Sequence, residues 1–556
     1  MIKANIKSGF LCTVSVLLAL YMSMVSCSDF FDTDPDTILK DEDYIKTQNE
    51  MYYGYLGIIS ALQNVADQAI YLTDTRADLL EPTVNASTEL WDVYNYEDLS
   101  NNPYADPTKY YTLIIACNDF IYKMKEYKER VQDSMDEQGE VDFEALMAGA
   151  IRVKAWTYFA LARIYGEAYY FDDPLTKIID LQDGSTFVYL TTYKDIVNKC
   201  IEILDSVDHL DIDWGAWLDP EDPTNSEYAL WQFITPDYKC LRSELCLARG
   251  ADGDYEWVKE AMLSMLYAEF NTSNRRWRMG NMTSNTYPRF FSRNSFTEYM
   301  PVSTVFYDYE KNQTNGLINC FSEGGGAEYL LKPSVYGREK FNESGSGSLR
   351  TTTFFRNDDD HFSKFTGDRG GRTSVYQSDP PIQLYSSFDL HYMLAEALNH
   401  LGNWRECETI LNNGLSNLFP SNTIDRTLGW DDMRWDIWIG RNVTPDTGIR
   451  GCLGVDAVEL PMPTDPVYRI TEEERQKIYD LALLDDMLME FAGEGRAYGM
   501  MVRMAERYND PAIIGDRVAP KYPIYEQGDI RTKIMNGDYY VKYDLANMSG
   551  EEDSQE

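Results

Sequence analysis

The chain has 556 residues, and 91 acidic against 50 basic side chains give it a formal net charge of −41. That charge repels phosphate backbones and anionic lipid headgroups, so the composition excludes binding to nucleic acid or to membranes through a broad basic surface. A hydrophobic fraction of 44% excludes a disordered chain, and a content of four histidines argues against a histidine-rich catalytic or metal site.

The amino terminus is typical of a secreted lipoprotein. Lys3 and Lys7 precede an uncharged apolar run over residues 10–25, and the sequence Met-Val-Ser-Cys ends at Cys27. A basic start, an apolar stretch and a small residue before the cleavage point form a signal peptide, and the run is slightly short for a helix that spans a bilayer. We therefore predict a signal peptide over residues 1–26 and lipidation of Cys27, with an uncleaved anchor helix as the alternative.

An acidic segment over residues 27–40 begins at this cysteine. Aspartates at alternate positions from Asp32 have the first spacing of a calcium-binding loop. Thr37 and Asp43 stand where such a loop has its glycine and its glutamate, which favours a solvated tether over a metal site. Neither this segment nor any other spacing in the chain predicts a metal ion or a cofactor.

Helical periodicity predicts four pairs of helices. The third and fourth pairs are similar to tetratricopeptide hairpins, because alanines allow close helix approach and Gly402 ends one helix just before Trp404 begins the next. The predicted pairs are 44–65 with 110–127, 143–165 with 193–207, 237–249 with 255–270, and 388–401 with 404–418.

The remaining segments are less regular. Residues 271–382 are rich in glycine, serine, threonine and asparagine, which indicates loops with short strands, and the proline-containing residues 419–470 are similar. A last helical segment over 472–508 should break near Gly493, and the chain from Ile524 onwards should be irregular. The predicted parts of this mainly α chain are a helical part, 41–270, a loop-rich insertion with short strands, 271–382, and a C-terminal part, 383–556.

The cysteines after Cys27 lie singly along the sequence. The chain contains no C-x-x-C motif, so neither a disulfide scaffold nor a zinc site is indicated. Cys240 and Cys246 are six residues apart on a predicted helix and therefore point to different faces. We predict that most of these cysteines are small buried hydrophobic side chains on helices, without disulfide partners.

Four segments, in this order, have the pattern of one protein family. They are Cys27 with its acidic tether, residues 150–166 with Trp156 at an aromatic centre and a terminal Tyr-Gly, residues 389–402 with Ala-Glu-Ala and Leu-Gly, and residues 490–503 with two glutamates before Gly495. Together they resemble the SusD/RagB family, surface lipoproteins of Bacteroidetes that capture nutrient glycans or, in some members, peptides. The chain departs from the family pattern at Ser386, Gly493, Ala497 and Met500.

The resemblance implies a tetratricopeptide-like helical scaffold with an irregular second half. It also implies a non-catalytic protein that is anchored in the outer membrane through acylated Cys27 and exposed at the cell surface. The implied ligand is an oligosaccharide, and the implied partner is a SusC-like TonB-dependent transporter over which the protein closes as a lid. A peptide ligand is the alternative within the family, and a surface glycan-degrading enzyme or a protein-binding tetratricopeptide adaptor is the alternative outside it.

The stretch 270–297 contains no acidic residue, although arginines and aromatic side chains alternate along it. Arginine forks bind carboxylates and sulfates, and aromatic faces stack on sugar rings. We predict ligand contacts from Arg276, Trp277, Tyr287 and Arg289. The alternative is that the arginines pair with the acidic surplus of the chain and hold the insertion down.

A second group of candidate ligand residues lies in the loop after the first helix. Trp91, Tyr94, Asn95 and Tyr96 combine aromatic rings with an amide, which suits a sugar because a ring covers its apolar face while an amide bonds its hydroxyls. The family resemblance implies sugar-stacking aromatic residues in this region of the chain, but no family motif matches these four residues one by one. Ordinary loop packing is the alternative.

No motif of a catalytic site is present. The sequence lacks G-x-S-x-G, H-E-x-x-H and the P-loop. Glu490 and Glu494 are one helical turn apart, but glycosidase carboxyls must lie across a sugar from each other. We predict that this pair caps a helix or forms ion pairs, and we predict no catalytic residue.

Overall fold

A computed structural model describes most of the chain between Ile45 and Tyr543. The described residues are 45–131, 134–174, 189–222, 231–271, 277, 279–280, 282–292, 301–307, 315–345, 347–355, 361–366, 379–414, 447–461 and 470–543. The predicted signal peptide, Cys27, the acidic tether and Arg276 lie outside them.

Most described residues are helical, which confirms the predicted mainly α class. The helices of the first half are α1 (Gln48–Ala69), α2 (Thr88–Tyr94), α3 (Thr108–Val131), α4 (Glu137–Tyr165), α5 (Tyr193–Leu204), α6 (Trp214–Leu218), α7 (Tyr238–Arg249) and α8 (Asp254–Asn271). Those of the second half are α9 (Gly316–Phe321), α10 (Val335–Glu343), α11 (Leu349–Phe354), α12 (Ser387–His400), α13 (Trp404–Asn412), α14 (Ile449–Cys452), α15 (Glu472–Glu490), α16 (Ala497–Tyr508), α17 (Ala512–Val518) and α18 (Ile524–Lys533).

The strands form three antiparallel two-stranded sheets within the described residues. The strands are β1 (Leu80–Pro82), β2 (Glu167–Tyr170), β3 (Tyr189–Thr192), β4 (Pro301–Val305), β5 (Leu331–Pro333) and β6 (Ile382–Ser386). Strand β1 pairs with β5, so that Glu81 lies opposite Lys332; β2 pairs with β3, and β4 pairs with β6 across an irregular register. The β1–β5 sheet joins the two halves of the chain.

The four predicted helical pairs are present and stack in order. Helix α1 contacts α3, α4 contacts α5, α7 contacts α8, and α12 contacts α13. Neighbouring pairs also contact each other, through α3 and α4, α5 and α7, and α8 and α12. This stack of helical hairpins is the tetratricopeptide-like scaffold.

Helix α4 lies at the centre of the stack. The Asp136 carboxylate accepts from the backbone N–H of Gly139 at 2.7 Å and caps its start, and Gly166 ends it with a φ of +78°. Every residue from Ala145 to Ala162 is buried, as expected for a helix that is surrounded by others. At Gly149 a Cβ atom would lie only 2.8 Å from the Tyr55 hydroxyl, so α1 approaches α4 where a side chain is missing.

The carboxyl-terminal segment confirms one prediction and corrects another. Helix α15 ends at Glu490, and Gly493 and Gly495 take φ values of +80° and +75° before α16 begins, as the predicted break requires. The prediction of an irregular chain from Ile524 is wrong, because residues 524–533 form α18. Buried Ile530 anchors this helix, which packs against α17.

One hydrophobic core runs through the helices before residue 270 and after residue 382. The division of the chain at these positions stays a prediction about its sequence organisation. All seven cysteines within the described residues are buried and free, as predicted.

Candidate functional site

The glutamates of the 490–494 segment are buried in ion pairs. Glu490 accepts from Arg350 Nε at 3.1 Å and from the Tyr287 hydroxyl at 2.7 Å. Glu494 accepts from Lys364 Nζ at 2.5 Å. Burial raises the pKa of Glu490, although Arg350 acts in the opposite direction. The predicted ion-pairing role of these two carboxyls is confirmed.

Tyr287 does not face solvent. Its ring is buried beside Phe291 and Phe354, and its hydroxyl is bonded to Glu490. The structure therefore places it in the core, which corrects the expectation of a ligand-facing ring. Of its predicted companions, Arg289 is exposed and Trp277 is half-buried.

Two of the four residues predicted after the first helix are also core residues. Tyr94 is 5% exposed and packs against Tyr522, with ring centroids 4.7 Å apart. Tyr96 is 3% exposed, its hydroxyl donates to the Arg76 carbonyl at 2.8 Å, and the Arg76 guanidinium lies 4.3 Å from its ring centroid. No face of either ring is open to a sugar, which corrects that expectation for both.

The other two residues of this group remain partly accessible. Trp91 lies on α2 with its ring half-buried against the edge of Tyr94, at 5.4 Å between centroids. Asn95 is half-buried, and its carbonyl accepts from Lys533 Nζ at 3.0 Å. Ligand contact through Trp91 or Asn95 stays a prediction.

Strand β1 is fixed in place before the chain reaches the loop that leads to α2. Buried Lys521 donates to the carbonyls of Thr75 at 2.8 Å and of Leu80 at 3.4 Å, and also to that of Ala77. Burial lowers the pKa of Lys521 to about 7. Lys521 thus joins the backbone before β1, and Leu80 at its start, to the carboxyl-terminal part of the chain.

The loop after β1 is fastened to a second loop that precedes β5. Thr83 Oγ1 donates to the Tyr329 carbonyl at 2.6 Å, the Thr83 N–H donates to the Leu330 carbonyl at 2.8 Å, and the Asn85 amide donates to the Glu328 carbonyl at 2.8 Å. Tyr329 takes a φ of +57°. Non-glycine residues in this region are strained and concentrate at functional sites.

Two half-buried tyrosine rings lie beside these joined loops. The centroids of Tyr71 and Tyr104 are 5.5 Å apart with the ring planes tilted by 41°. The Asn319 amide donates to the Tyr71 hydroxyl at 3.1 Å, and its carbonyl oxygen accepts from the Glu328 N–H at 3.2 Å. Burial raises the pKa of both tyrosines. We name Asp67, Tyr71, Tyr104, Asn319 and Glu328 the Tyr71–Tyr104 surface.

Asp67 is held in place within this surface by the start of α9. Its carboxylate accepts from the backbone N–H of Gly316, where α9 begins. Burial raises the pKa of Asp67 to about 6. A carboxyl, an amide and two rings therefore lie together, which is the chemistry that hydroxylated ring compounds require.

Solved structures of other proteins share this overall arrangement. A SusD homologue of Bacteroides thetaiotaomicron is similar with a TM-score of 0.56 at 14% identity, covering 90% of this chain and 96% of that one. NanU of Bacteroides fragilis gives a TM-score of 0.54 at 14% identity over 87% and 94%. The chain has the SusD fold. The resemblance predicted from the sequence is thus confirmed.

A further solved structure has the SusD fold, and one other protein matches part of the chain in sequence. A structure from Bacteroides vulgatus, described as a SusD-like carbohydrate binding protein, has a TM-score of 0.53 at 12% identity over 83% of this chain and 84% of that one. The SusD-like protein P25 of Formosa agariphila is 23% identical over 172 residues, which are 29% of this chain and 32% of that relative. No protein-family model matches the chain.

Inside this SusD fold lies a cavity of about 40 Å³. Charged side chains line it, among them Arg163, Glu244, Glu494 and Arg496, and Arg163 is paired with Glu244 at 2.6 Å. A volume of this size admits about three water molecules. A cavity of this size cannot admit a sugar ring.

In the described part of the chain, no group of three or more histidine, cysteine, aspartate or glutamate side chains could hold a metal ion. Nor does any described helix have the length and apolar character that crossing a membrane requires.

The sequence did not predict the rings of the Tyr71–Tyr104 surface, because the helix before Tyr71 ends in an irregular turn. Residues Ile70–Asp74 form a π-helical turn directly after α1, which changes the helical period and so the face on which Tyr71 lies. A 3.6-residue pattern does not reveal such a turn, although π-helical turns concentrate at functional sites. The polar run Thr73-Asp-Thr-Arg after an apolar helix is the one sequence signal near it.

Proposed function

We propose that this protein binds an oligosaccharide at the Tyr71–Tyr104 surface and passes it, chemically unchanged, to a SusC-like TonB-dependent transporter. The observation that carries the proposal is the pair of half-buried rings beside an amide and two carboxyls. Aromatic faces cover the C–H surface of a pyranose, and amide and carboxylate groups bond its hydroxyls. The joined loops hold these groups in place before a ligand arrives.

The fold supports this ligand class. Two relatives from Bacteroides vulgatus with the same fold are described as a SusD-like carbohydrate binding protein and a putative sugar binding protein. Trp91 and Asn95 belong to the same segment and are proposed as additional contacts. Arg276, Trp277 and Arg289 are proposed contacts for a carboxylated or sulfated sugar unit.

The proposal includes a location at the cell surface. A signal peptide over residues 1–26, an acyl-modified Cys27 and an acidic tether would hold the folded part outside the outer membrane. Two or more acyl chains give stable anchoring, whereas one gives reversible binding. Lid closure over the transporter would then deliver the ligand without chemistry.

Replacing Cys27 by alanine should release the full-length protein from the outer-membrane fraction of the cell, because the thiol that carries the acyl chains is missing. Fractionation of cells fed an alkyne-labelled fatty acid measures both membrane association and label on the chain. Cys12→Ala, within the signal peptide, is the control and should leave both unchanged. An unlabelled wild-type chain, or a labelled Cys27→Ala chain, would contradict the anchor.

We propose that the protein catalyses no reaction, because the carboxyl pair that could suggest a glycosidase is occupied by ion pairs. Glu490 and Glu494 are buried in ion pairs with Arg350 and Lys364. An assay for new reducing ends on any glycan that the protein binds tests this point. Robust turnover would favour the alternative of a surface glycan-degrading enzyme.

Replacing Tyr104 by alanine should weaken binding of the glycan selected on an array about tenfold, since one stacking face contributes about 1–1.5 kcal/mol. The protein starting after Cys27 is screened first, and titration calorimetry on the strongest glycan then compares variants. Tyr104→Phe keeps the ring and should retain most of the affinity.

Tyr525→Ala is the matched control, since this ring is 80% exposed on α18. Equal affinities for Tyr104→Ala and wild type would remove Tyr104 from the site. A blank glycan array together with binding to a peptide library would favour the peptide-binding alternative.

A further inference from the structure

Two tyrosine rings stand out from the described surface by their exposure. Tyr53 is 62% exposed and Tyr525 is 80% exposed. Tyr53 lies near the start of α1, and it belongs to a group of aromatic side chains that α1 and α6 share. Asp67, the member of the Tyr71–Tyr104 surface nearest to it in sequence, lies fourteen residues further along the same helix.

This group has a defined geometry. The ring of Tyr52 lies parallel to the indole of Trp217, with centroids 4.5 Å apart and planes within 1°. The ring of Tyr53 stands at 76° to the same indole, at 5.5 Å. Buried Trp214 packs behind both, 5.8 Å from Tyr52 and 6.1 Å from Trp217. Exposed Tyr53 and half-buried Trp217 thus form a corner with an angle of 76°, next to the buried rings of Tyr52 and Trp214.

Polar groups lie at the edge of the corner. The carbonyl oxygen of exposed Asn49 accepts from Trp217 Nε1 at 3.2 Å, which orients the indole and leaves the Asn49 amide nitrogen as a donor. The carboxylate of exposed Asp213 accepts from the Ala216 N–H at 3.0 Å and has further lone pairs. The Asn49 amide beside the indole and the Asp213 carboxylate at the start of the helix that carries Trp217 can bond the hydroxyls of a sugar, while the rings cover its C–H face.

We propose that Asn49, Tyr53, Asp213 and Trp217 form a second binding surface, the Tyr53–Trp217 corner, for a pyranose unit of a polysaccharide. Tyr53 exposes most of its surface to water and lies beside the half-buried Trp217, so a ligand can reach both rings. The orientation of Trp217 is fixed by stacking and by a hydrogen bond, so little ordering is needed on binding.

The corner is separate from the Tyr71–Tyr104 surface. Tyr53 and Tyr71 are eighteen residues apart in the sequence, which at 1.5 Å per residue corresponds to about 27 Å along a helix. The proposal shares only its ligand class with the proposed function. Two surfaces at this separation would bind a long glycan more tightly than a short one, because the second contact becomes intramolecular.

The test is native electrophoresis of the protein starting after Cys27 in gels cast with starch, xylan, β-glucan, mannan or pectin. Tyr53→Ala and Trp217→Ala should each lower the affinity for the retarding polysaccharide at least threefold. Tyr53→Phe should behave as wild type, as should the exposed control Tyr525→Ala. Thermal unfolding of each variant checks that the fold is kept. If Trp217→Ala does not fold, the affinity of Tyr53→Ala alone decides the test.

Each outcome separates this proposal from the one before it. Loss of affinity in Tyr53→Ala but not in Tyr104→Ala would support the corner and contradict the Tyr71–Tyr104 surface. Wild-type affinity in both Tyr53→Ala and Trp217→Ala, with weaker binding by Tyr104→Ala, would overturn the corner alone. A wild-type protein that none of the five polysaccharides retards would overturn the corner as a glycan-binding surface.

Discussion

Replacing Arg350 by alanine should lower the free energy of unfolding by about 3–5 kcal/mol, the range for breaking a buried ion pair from one side. The Arg350 side chain is fully buried and donates to both Asp486 oxygens, at 3.1 and 3.3 Å, and to Glu490 at 3.1 Å. Its loss leaves two buried carboxylates with fewer partners. Chemical denaturation at pH 7, followed by circular dichroism, measures the difference.

The difference in the free energy of unfolding between wild type and Arg350→Ala should shrink as the pH falls. Burial alone would raise the pKa of Asp486, but Arg350 and Arg450 hold it below its usual value. A carboxyl whose pKa is lower in the folded protein than in the unfolded chain stabilises the fold at every pH above its unfolded-chain pKa. This stabilisation is lost as the pH falls through the pKa of the folded protein. Without Arg350 the pKa of Asp486 rises, so the variant gains less stability from this carboxylate at neutral pH. Wild type therefore loses more stability than the variant when the pH is lowered.

Arg531→Ala provides the comparison for Arg350→Ala. Arg531 pairs with Asp516 at 2.6 Å, but both side chains are about half exposed, so solvent screens the pair and the unfolding midpoint should hardly move. Equal midpoint shifts for the two variants would show that burial of the Arg350 network does not matter for stability.

The sequence predicted the fold well where local signals and packing agree. Helix α4 has a capping Asp136, a closing Gly166 and an apolar length that suits a central helix, so its position followed from the pattern. The break at Gly493 followed from glycine propensity in the same way. The helix α18 was missed because Ile530 is an isolated apolar anchor, and its packing partners come from tertiary structure.

Prediction of the site was less successful, since an aromatic side chain in a loop can be either a core residue or a ligand contact. Tyr287 is buried because its hydroxyl meets Glu490, which is 203 residues away in sequence. Tyr96 is buried because it lies between Arg76 and Tyr498. Such long-range partners decide exposure, and composition does not contain them. The Tyr71–Tyr104 pair was missed because the π-helical turn at Ile70–Asp74 moves Tyr71 off the face that a regular helical period predicts.

Replacing Gly337 by alanine should destabilise the protein by about 1–3 kcal/mol and weaken glycan binding as well. A Cβ atom at this position would lie 2.2 Å from the Leu79 carbonyl oxygen and 3.0 Å from its carbon, both backbone atoms that cannot rotate away. Overpacking of this kind forces backbone shifts. Because Leu79 precedes β1, a shift here moves the loop that Thr83 fastens to Tyr329.

Gly57→Ala is the matched control, as Gly57 also lies inside a helix but a Cβ atom there would have no neighbour within 4 Å. Both substitutions gain up to about 1 kcal/mol of helix propensity, so Gly57→Ala should stabilise the protein while Gly337→Ala does the reverse. Denaturation and calorimetry with the array-selected glycan give both readouts. Lost stability with unchanged glycan affinity in Gly337→Ala would mean that the position of β1 does not control the Tyr71–Tyr104 surface.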